Sequence, residues 1–299
     1  MKEQKVLVIG SINMDLVTQS NIVPKVGETV LGTSFFTNPG GKGANQAVAA
    51  AKLGAYVTML GCVGEDSFGK DLLENFKCHG VNTKYIKTIS NTSTGIASIT
   101  LSEGDNSIIV VPGANHKLTP EMVRENEKII AEADILLLQL EIPLESVIES
   151  VELAKKYDIP VILNPAPIQA LSKELLFDVT YITPNEHEQR SLLTSDILTL
   201  EEVEQIKKKC IVTHGSKGVL IYQNQEELIP SYKVEVVDST GAGDCFNGAL
   251  AYSLSMGTEL HEACRFANAV AALSVTKLGA QAGMSNLEEV DIFIKEHER

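Results

Sequence analysis

Short apolar runs alternate with helical segments along most of this 299-residue chain. The first run, Lys5-Val6-Leu7-Val8-Ile9-Gly10, is apolar after its first residue and ends in glycine, which is typical of a parallel strand buried on both faces. The alanine-rich stretch 43–53 and the amphipathic stretch 66–78 are typical of helices that pack beside such a strand. The alternation predicts an α/β protein of three layers, α/β/α, with a mainly parallel sheet between the helices.

The same periodicity predicts the remaining strands and helices. Predicted strands follow at 57–64, 135–139, 161–164, 181–183, 210–213 and 219–222, and the segment 232–237 also alternates like a strand. Helices are expected at 120–132, 144–157, 186–194 and 200–209, and then at 241–256, 259–276 and 287–297. No repeat or linker divides the chain, so we expect one domain over residues 1–299.

Two segments break this alternation and favour a separate, smaller β-sheet. The runs 94–102 and 107–112 are joined by Glu103-Gly104-Asp105-Asn106, which is a hairpin signal rather than a β-α-β unit. Residues from about 17 to 37 have an extended character and are punctuated by glycine and proline. Together they predict a β-sheet lid, contributed by about 14–38 and 93–113, that stands off the main sheet.

The predicted lid carries apolar side chains that a single copy of the chain has no means of covering. Val30, Leu31, Phe35 and Phe36 all lie in its first segment. An exposed apolar strand face invites pairing with a second copy of the chain. We therefore expect a homodimer formed through the β lid.

Charge and cysteine content exclude several classes of partner. The formal net charge of −14 and the pI near 4.9 argue against nucleic acid or an anionic membrane surface. The five cysteines are scattered without a C-x-x-C pair, which fits the reduced thiols of a cytoplasmic protein. We expect no signal peptide before Lys5, because the first residues are charged, and no apolar run reaches the roughly 18 residues that a membrane span needs.

One heptapeptide, Asp238-Ser239-Thr240-Gly241-Ala242-Gly243-Asp244, carries the clearest chemical signal. It leads into a strongly helical run, and its small residues allow backbone N–H groups to approach a phosphate closely. Asp244 stands at the start of that helix, where a carboxylate could take a proton from a hydroxyl that attacks phosphorus. The alternative is that Asp244 is only a helix cap.

Polar side chains follow the predicted strands, at the edge where open α/β sheets bind ligands. Asn13 and Asp15 are two residues apart, so in an extended chain they point the same way and suit a vicinal diol. A simple turn is the alternative. Glu141 comes just after the strand 135–139 and is either a sugar ligand or a solvated loop acid.

The segment Pro39-Gly40-Gly41-Lys42-Gly43-Ala44-Asn45 opens a predicted helix but does not have the spacing of a P-loop. Its glycines permit close approach of a ligand, and Lys42 and Asn45 would face one pocket. A flexible turn with a solvated lysine is the alternative.

Two further segments are candidates for binding a nucleotide and its metal. Asn185 and Glu188 share one face of a predicted helix start and could hold the water shell of Mg²⁺, or form a capping box. Thr213-His214-Gly215-Ser216-Lys217-Gly218 links two strands, either as a plain hairpin turn or as a loop along the nucleotide.

Two motifs in a fixed order identify a family resemblance. Gly40-Gly41-Lys42-Gly43-Ala44-Asn45 near the start and 238–244 near the end resemble the signatures of the phosphofructokinase-B type sugar kinases, and the resemblance runs essentially end to end. It implies transfer of a phosphoryl group from ATP to the 5-hydroxyl of a pentose, D-ribose. Other substrates within the same family, such as fructose, adenosine or 2-deoxyribose, remain alternatives.

The resemblance also implies a role for each motif residue. The pentose would be held by Asn13, Asp15, Gly41, Lys42, Asn45 and Glu141, with Asp244 as the base and Gly241, Ala242 and Gly243 as the anion hole. ATP and Mg²⁺ would lie along Asn185, Glu188, Thr213, Gly215, Ser216, Lys217, Gly218, Gly243 and Asn268. A monovalent cation, K⁺, would be held by Asp238, Thr240, Ser274, Lys277, Gly279 and Gly283, the last standing where relatives often carry serine.

Two other classes of protein fit the sequence less well. The first strand does not lead into G-x-G-x-x-G, which argues against a dinucleotide-dependent oxidoreductase. The intact Asp244 argues against a non-catalytic sugar sensor built on a kinase fold.

Overall fold

The computed structural model describes residues 4–102, 105–194, 197–223 and 225–297. Its strands, in chain order, are β1 (Lys5–Ile9), β2 (Asn13–Gln19), β3 (Ser34–Gly40), β4 (Tyr56–Gly64), β5 (Asn82–Ile89), β6 (Gly95–Ser102), β7 (Asp105–Val111), β8 (Ile135–Leu138), β9 (Val161–Leu163), β10 (Tyr181–Ile182), β11 (Ile211–Thr213), β12 (Gly218–Ile221) and β13 (Glu227–Pro230).

The helices of the described residues, in the same order, are α1 (Lys42–Lys52), α2 (Ser67–Cys78), α3 (Pro120–Glu125), α4 (Glu127–Ala131), α5 (Leu144–Lys156), α6 (Lys173–Asp178), α7 (Glu186–Leu193), α8 (Leu200–Lys207), α9 (Ala242–Ser255), α10 (Leu260–Ser274), α11 (Ala280–Gly283) and α12 (Leu287–His297). None of them is both long and apolar enough to cross a membrane.

A parallel sheet of six strands, in the order β10-β9-β8-β1-β4-β5, forms the middle layer. Side chains alternate across a strand, so β1 supplies both cores: Val6 and Val8 face one, and Leu7 and Ile9 face the other. The first core includes residues of α1, α2, α9, α10 and α12, and the second includes residues of α3 to α8. The predicted three-layer α/β/α class is confirmed.

A second sheet of four strands, in the order β3-β2-β6-β7, stands where the lid was expected. β2 pairs antiparallel with β3 and parallel with β6, and β6 pairs antiparallel with β7. The predicted strand pair therefore forms, while part of the turn between β6 and β7 lies outside the described residues. That the whole chain is one domain with a lid stays a prediction.

One strand prediction in the C-terminal half is wrong, and two others are confirmed as strands of a separate sheet. Residues 232–237 form no strand, because Tyr232, Val234 and Val236 line a cavity instead of pairing with a neighbour. Residues 210–222 do not extend the parallel sheet. They form β11 and β12, which join β13 in a small antiparallel sheet, and an isolated bridge from Ile182 to Cys210 links this sheet to β10.

Sequence periodicity also missed some elements and merged others. The edge strand β5 and the short helix α6 were not predicted. The predicted helix 120–132 is divided at Asn126, whose side chain donates to the carbonyl oxygen of Met122 over 2.8 Å. An asparagine amide that competes for backbone carbonyls in this way interrupts a helix.

Candidate active site

The carboxylate of Asp244 lies buried where the first turns of α1 and α9 meet. It accepts hydrogen bonds from Asn45 Nδ2 and Gln46 Nε2, each over 2.9 Å, and the residue is 8% exposed. Burial raises the pKa of Asp244, although the charge of Lys42 and the two amide donors oppose that rise. A buried carboxylate whose pKa is raised is suited to accept a proton from a bound hydroxyl.

Asp244 does not cap its own helix. The residue that precedes α9 is Gly241. Among the described residues, no side chain caps the N-terminus of α9 with a hydrogen bond. Asp244 instead bonds across to α1, so the helix-cap alternative is wrong. The carboxylate is held in place by a neighbouring helix and leaves the N–H groups of its own helix start to other acceptors.

The turn that precedes Asp244 leaves room for an anion. Gly241 has a φ of 77°, and a Cβ added there would lie 2.9 Å from Ala280 Cβ, so this position requires glycine. A Cβ added to Gly243 would meet nothing within 4 Å. The packing of the protein therefore leaves room for a larger side chain at position 243. A glycine in such an open position is consistent with a ligand that approaches the backbone closely.

Asp15 lies in the same charged cluster as Asp244, on the strand β2. Burial first, and then the charges of Glu141 and Asp244, raise its pKa to about 7, while Lys42 opposes the rise. A Cβ on Gly40 would come within 2.3 Å of the Asp15 carboxylate, so the glycine makes space for it. The structure thus brings together acids that the sequence placed far apart.

Glu141 is fixed between two elements and is not a freely solvated loop acid. Its carboxylate accepts from Ser11 Oγ, just after β1, and from the backbone N of Lys42 over 3.1 Å. This N–H belongs to the first turn of α1, where a carboxylate is favoured by the helix dipole. Asn13, on β2, is also fixed, because its Oδ1 accepts from Asn115 Nδ2 over 2.7 Å.

A buried chain of amides behind Asp244 was missed by the sequence reasoning. Gln139 Nε2 donates to Gln46 Oε1 over 2.6 Å, and Gln46 Nε2 also donates to Asn164 Oδ1 over 3.2 Å. Asn164 in turn donates to the carbonyl oxygen of Thr183 over 3.0 Å. The available signal was a second polar residue, Gln46, beside Asn45 in an otherwise alanine-rich helix.

A cavity of about 390 Å³ opens on the other side of the Gly243 turn. Apolar side chains, among them Val236 and Phe246, form part of its wall, which suits the face of a base. Of the residues predicted to bind the nucleotide, those that line it are Thr213, Gly215, Ser216, Gly218, Gly243 and Asn268. Among the described residues its lining does not include Asn185, Glu188 or Lys217.

Asn185 and Glu188 form the capping box that the sequence offered as an alternative. Asn185 Oδ1 accepts from the backbone N of Glu188, and Glu188 Oε2 accepts from the backbone N of Asn185, each over 2.8 Å. The backbone of Asn185 also bridges to Thr213, which lines the cavity. The capping box does not use Glu188 Oε1, so this oxygen is left for another role.

The segment that follows α10 meets the Gly241 turn. Asp238 accepts from the backbone N of Thr240 and of Gly279, each over 2.9 Å. Burial raises the pKa of Asp238, but these hydrogen bonds outweigh it and leave the pKa lowered. A Cβ on Gly283 would lie 2.8 Å from the carbonyl oxygen of Ser274 and 3.6 Å from that of Lys277, so two carbonyl groups converge there.

These features define a class of protein. A base-like carboxylate, Asp244, belongs to a charged cluster with Asp15, Lys42 and Glu141, and the glycine turn at the helix N-terminus just before it lines a partly apolar cavity. An enzyme that transfers a phosphoryl group from a nucleotide to a hydroxyl needs these features.

Comparison with known proteins agrees with that class. The model of the pfkB family of carbohydrate kinases matches residues 3–287, and the chain belongs to this family. It is similar to the ribokinase of Bacillus subtilis, with 49% identity over 96% of this chain and 98% of that protein. It is also similar to the ribokinase of Lactococcus lactis, with 46% identity over 98% of each chain.

A solved structure shows the same likeness in three dimensions. The structure of Arabidopsis thaliana ribokinase complexed with ribose and ATP superposes on this chain with a TM-score of 0.90, at 35% identity. The match covers 98% of this chain and 99% of the plant protein.

Proposed function

We propose that this chain transfers the γ-phosphoryl group of ATP to the 5-hydroxyl of D-ribose, giving ribose 5-phosphate and ADP. The observation that carries the proposal is the buried carboxylate of Asp244, held by two amides and placed directly after Gly243, which lines the nucleotide-sized cavity. The similar ribokinases, one of them complexed with ribose and ATP, support it.

Asp244 acts as the general base in the proposed reaction. Ribose lies among Asp15, Lys42, Asn45 and Glu141, with its primary hydroxyl at the Asp244 carboxylate. As the hydroxyl oxygen bonds to the γ-phosphorus, its proton passes to Asp244 and the bond from phosphorus to the bridging oxygen of ADP breaks. The N–H groups at the Gly243 helix start stabilise the charge that develops on the phosphoryl oxygens.

Mg²⁺ fits the polar groups near the cavity only as a partly hydrated ion. In the described part of the chain no three His, Cys, Asp or Glu side chains cluster as a metal site, so phosphate oxygens and water would supply most ligands. Glu188 Oε1 and Asn185 are the groups we assign to its water shell. When bound, Mg²⁺ would neutralise charge on the phosphates.

A substrate panel tests the proposed function. ADP formation should be stimulated strongly by D-ribose and less by 2-deoxyribose, because the hydroxyl-binding carboxylates Asp15 and Glu141 lose a partner when one hydroxyl is missing. Fructose and adenosine are the further members of the panel. If adenosine or fructose stimulated ADP formation strongly and ribose did not, the stimulating compound would be the substrate and ribose would not.

The affinity for ribose is expected to fall by about tenfold per pH unit below pH 7. Asp15 has a pKa of about 7, so acid protonates it and removes an acceptor for the sugar hydroxyls. Calorimetric titration with ribose in the absence of ATP measures the effect. The variant Asp15→Asn should bind ribose more weakly and show a flatter profile, whereas an unchanged slope in that variant would assign the titration to another group.

K⁺ is expected to raise kcat without contacting ribose or ATP. The carbonyl groups of Ser274 and Lys277 and the Asp238 carboxylate suit a large monovalent ion. Asp238 also links Gly279 to the turn that precedes Gly243. A cation that fixes the segment containing Gly279 would therefore also fix this turn. Asp238→Ala should abolish the K⁺ effect and leave some basal activity; equal kcat in Na⁺, K⁺ and a bulky organic cation would contradict the proposal.

The four-stranded sheet is assigned as a lid that pairs with a second copy. Its described strands expose apolar side chains, with Phe35 63% and Ile109 70% exposed, and pairing would cover them. Light scattering at micromolar concentration should give the mass of a dimer. Ile109→Glu should give a monomer, and a monomeric wild type that ribose does not change would rule the lid out as a dimer interface.

A further inference from the structure

Gln281 is a buried amide at the back of the candidate active site. It lies in α11 and is 6% exposed. Its Nε2 donates to Asn45 Oδ1 over 2.9 Å, and its Oε1 accepts from Asn75 Nδ2 over 2.8 Å. Gln281 therefore contacts the sugar-side residue Asn45 from behind, on the side away from Asp244.

The orientation of these amides follows from the carboxylate at one end of the chain. The Asp244 carboxylate accepts only, so Asn45 must turn its Nδ2 toward it. That leaves Asn45 Oδ1 facing away, where it needs a donor, and Gln281 Nε2 supplies one. The carboxylate selects this orientation of the amide, and the Gln281 donor at the opposite end reinforces it.

Gln281 is itself held by more than its side chain. Its carbonyl oxygen accepts from Lys52 Nζ over 3.3 Å, and the same ammonium donates to the carbonyl oxygen of Met284 over 2.7 Å. Ala280, next to it, packs against Gly241 in the turn that precedes α9. The backbone that carries Gln281 is thereby fixed relative to both α1 and the Gly243 turn.

We infer that Gln281 is a positioning residue that locks the Asn45 amide with its Nδ2 toward Asp244 during phosphoryl transfer. The inference rests on the proposed function of the site. Without Gln281 the Asn45 amide is held at one end only, so it can move away from Asp244, and Asp244 then loses one of its two donors for part of the time. A carboxylate that loses a hydrogen-bond donor has a higher pKa, and its side chain is held less firmly.

Gln281→Met tests this, because methionine keeps the length of the side chain and removes both polar atoms. We expect kcat to fall by up to roughly 100-fold, the limit reached if the hydrogen bond from Asn45 to the charged Asp244 is lost along with the Gln281 bond. The acid limb of the pH profile of kcat should also move to higher pH. In an Asn45→Ala background the same change should have little further effect, since the residue through which it acts is gone.

Gln281→Glu separates the two hydrogen bonds of the side chain. Glutamate keeps an acceptor for Asn75 and loses the donor to Asn45, so its kcat should be as low as that of Gln281→Met. Asn75→Leu is the matched control, since it removes only the other partner of Gln281. Its kcat should stay within about threefold of wild type, and its pH profile should not move.

The pKa of the Asp244 carboxyl, measured by NMR in aspartate-labelled protein and assigned through Asp244→Asn, gives a readout independent of turnover. It should be higher in both Gln281 variants than in wild type. An unmoved pKa and pH profile in variants that keep the fold would overturn the inference, and so would full additivity with Asn45→Ala. A wild-type protein without sugar-dependent ADP formation would instead refute the proposed function itself.

Discussion

Asp244→Asn is expected to lower kcat by roughly 10²- to 10⁴-fold, the usual cost of losing a general base. Asparagine keeps the size of the side chain and one acceptor for the Asn45 and Gln46 amides, but it has no basic oxygen for the proton of the ribose hydroxyl. Ribose binding, measured by calorimetry, should persist. Steady-state ADP release with saturating ribose and ATP measures the loss.

The stability of the same variant distinguishes a base from a structural acid. Burial raises the pKa of Asp244 in the folded state. A carboxyl group with a raised folded-state pKa opposes folding at any pH above its unfolded pKa, so its removal should not lower the melting temperature at neutral pH. A variant with kcat within about threefold of wild type would remove Asp244 from the role of base, and a clearly lowered melting temperature would assign it a structural role.

Gly243→Ala is expected to lower kcat/KM for ATP by about 10²-fold, the order of loss that a displacement near 1 Å produces. A Cβ at this position meets no atom of the protein within 4 Å, and the φ of Gly243 is not positive. Alanine should therefore fold without strain and even favour the helix slightly. Its methyl group would project into the cavity where the phosphates of ATP must pass.

Gly241→Ala is the matched comparison for this prediction. Gly241 has a φ of 77° and lies against Ala280, so alanine there should lower the melting temperature as well as the activity. Gly243→Ala should lower the activity alone. Wild-type kcat/KM in a well-folded Gly243→Ala protein would show that the phosphates do not approach this turn.

Much of the fold could be predicted because the buried strands carry a strong periodic signal. The continuous apolar runs around β1 and β8 are typical of strands in a parallel sheet that is covered on both faces. The edge strand β5 was missed because its sequence, Asn-Thr-Lys-Tyr-Ile-Lys-Thr-Ile, is mostly polar and none of its residues is fully buried. Residues 232–237 were misassigned because alternating apolar side chains suit a cavity wall as well as a strand.

The candidate site could be predicted in part, since its acids and glycines stand at strand ends and helix starts. Asp15, Glu141 and Asp244 were named from the sequence, and the structure brings them into one charged cluster. Gln46 and Gln281 could not be found in the same way. Each lies within or beside a motif of small residues, and only the packing of α1 against α9 and α11 gives their amides partners.

Identification of the sugar product is the most direct test of the central claim that Asp244 activates the primary hydroxyl of ribose. The protein would be incubated with D-ribose labelled with ¹³C at C5, ATP and Mg²⁺, and the product examined by ³¹P and ¹³C NMR. We predict a phosphate resonance coupled to C5, together with one ADP for each sugar phosphate formed. Phosphate on the anomeric carbon, or release of ADP and inorganic phosphate without a sugar phosphate, would contradict the claim.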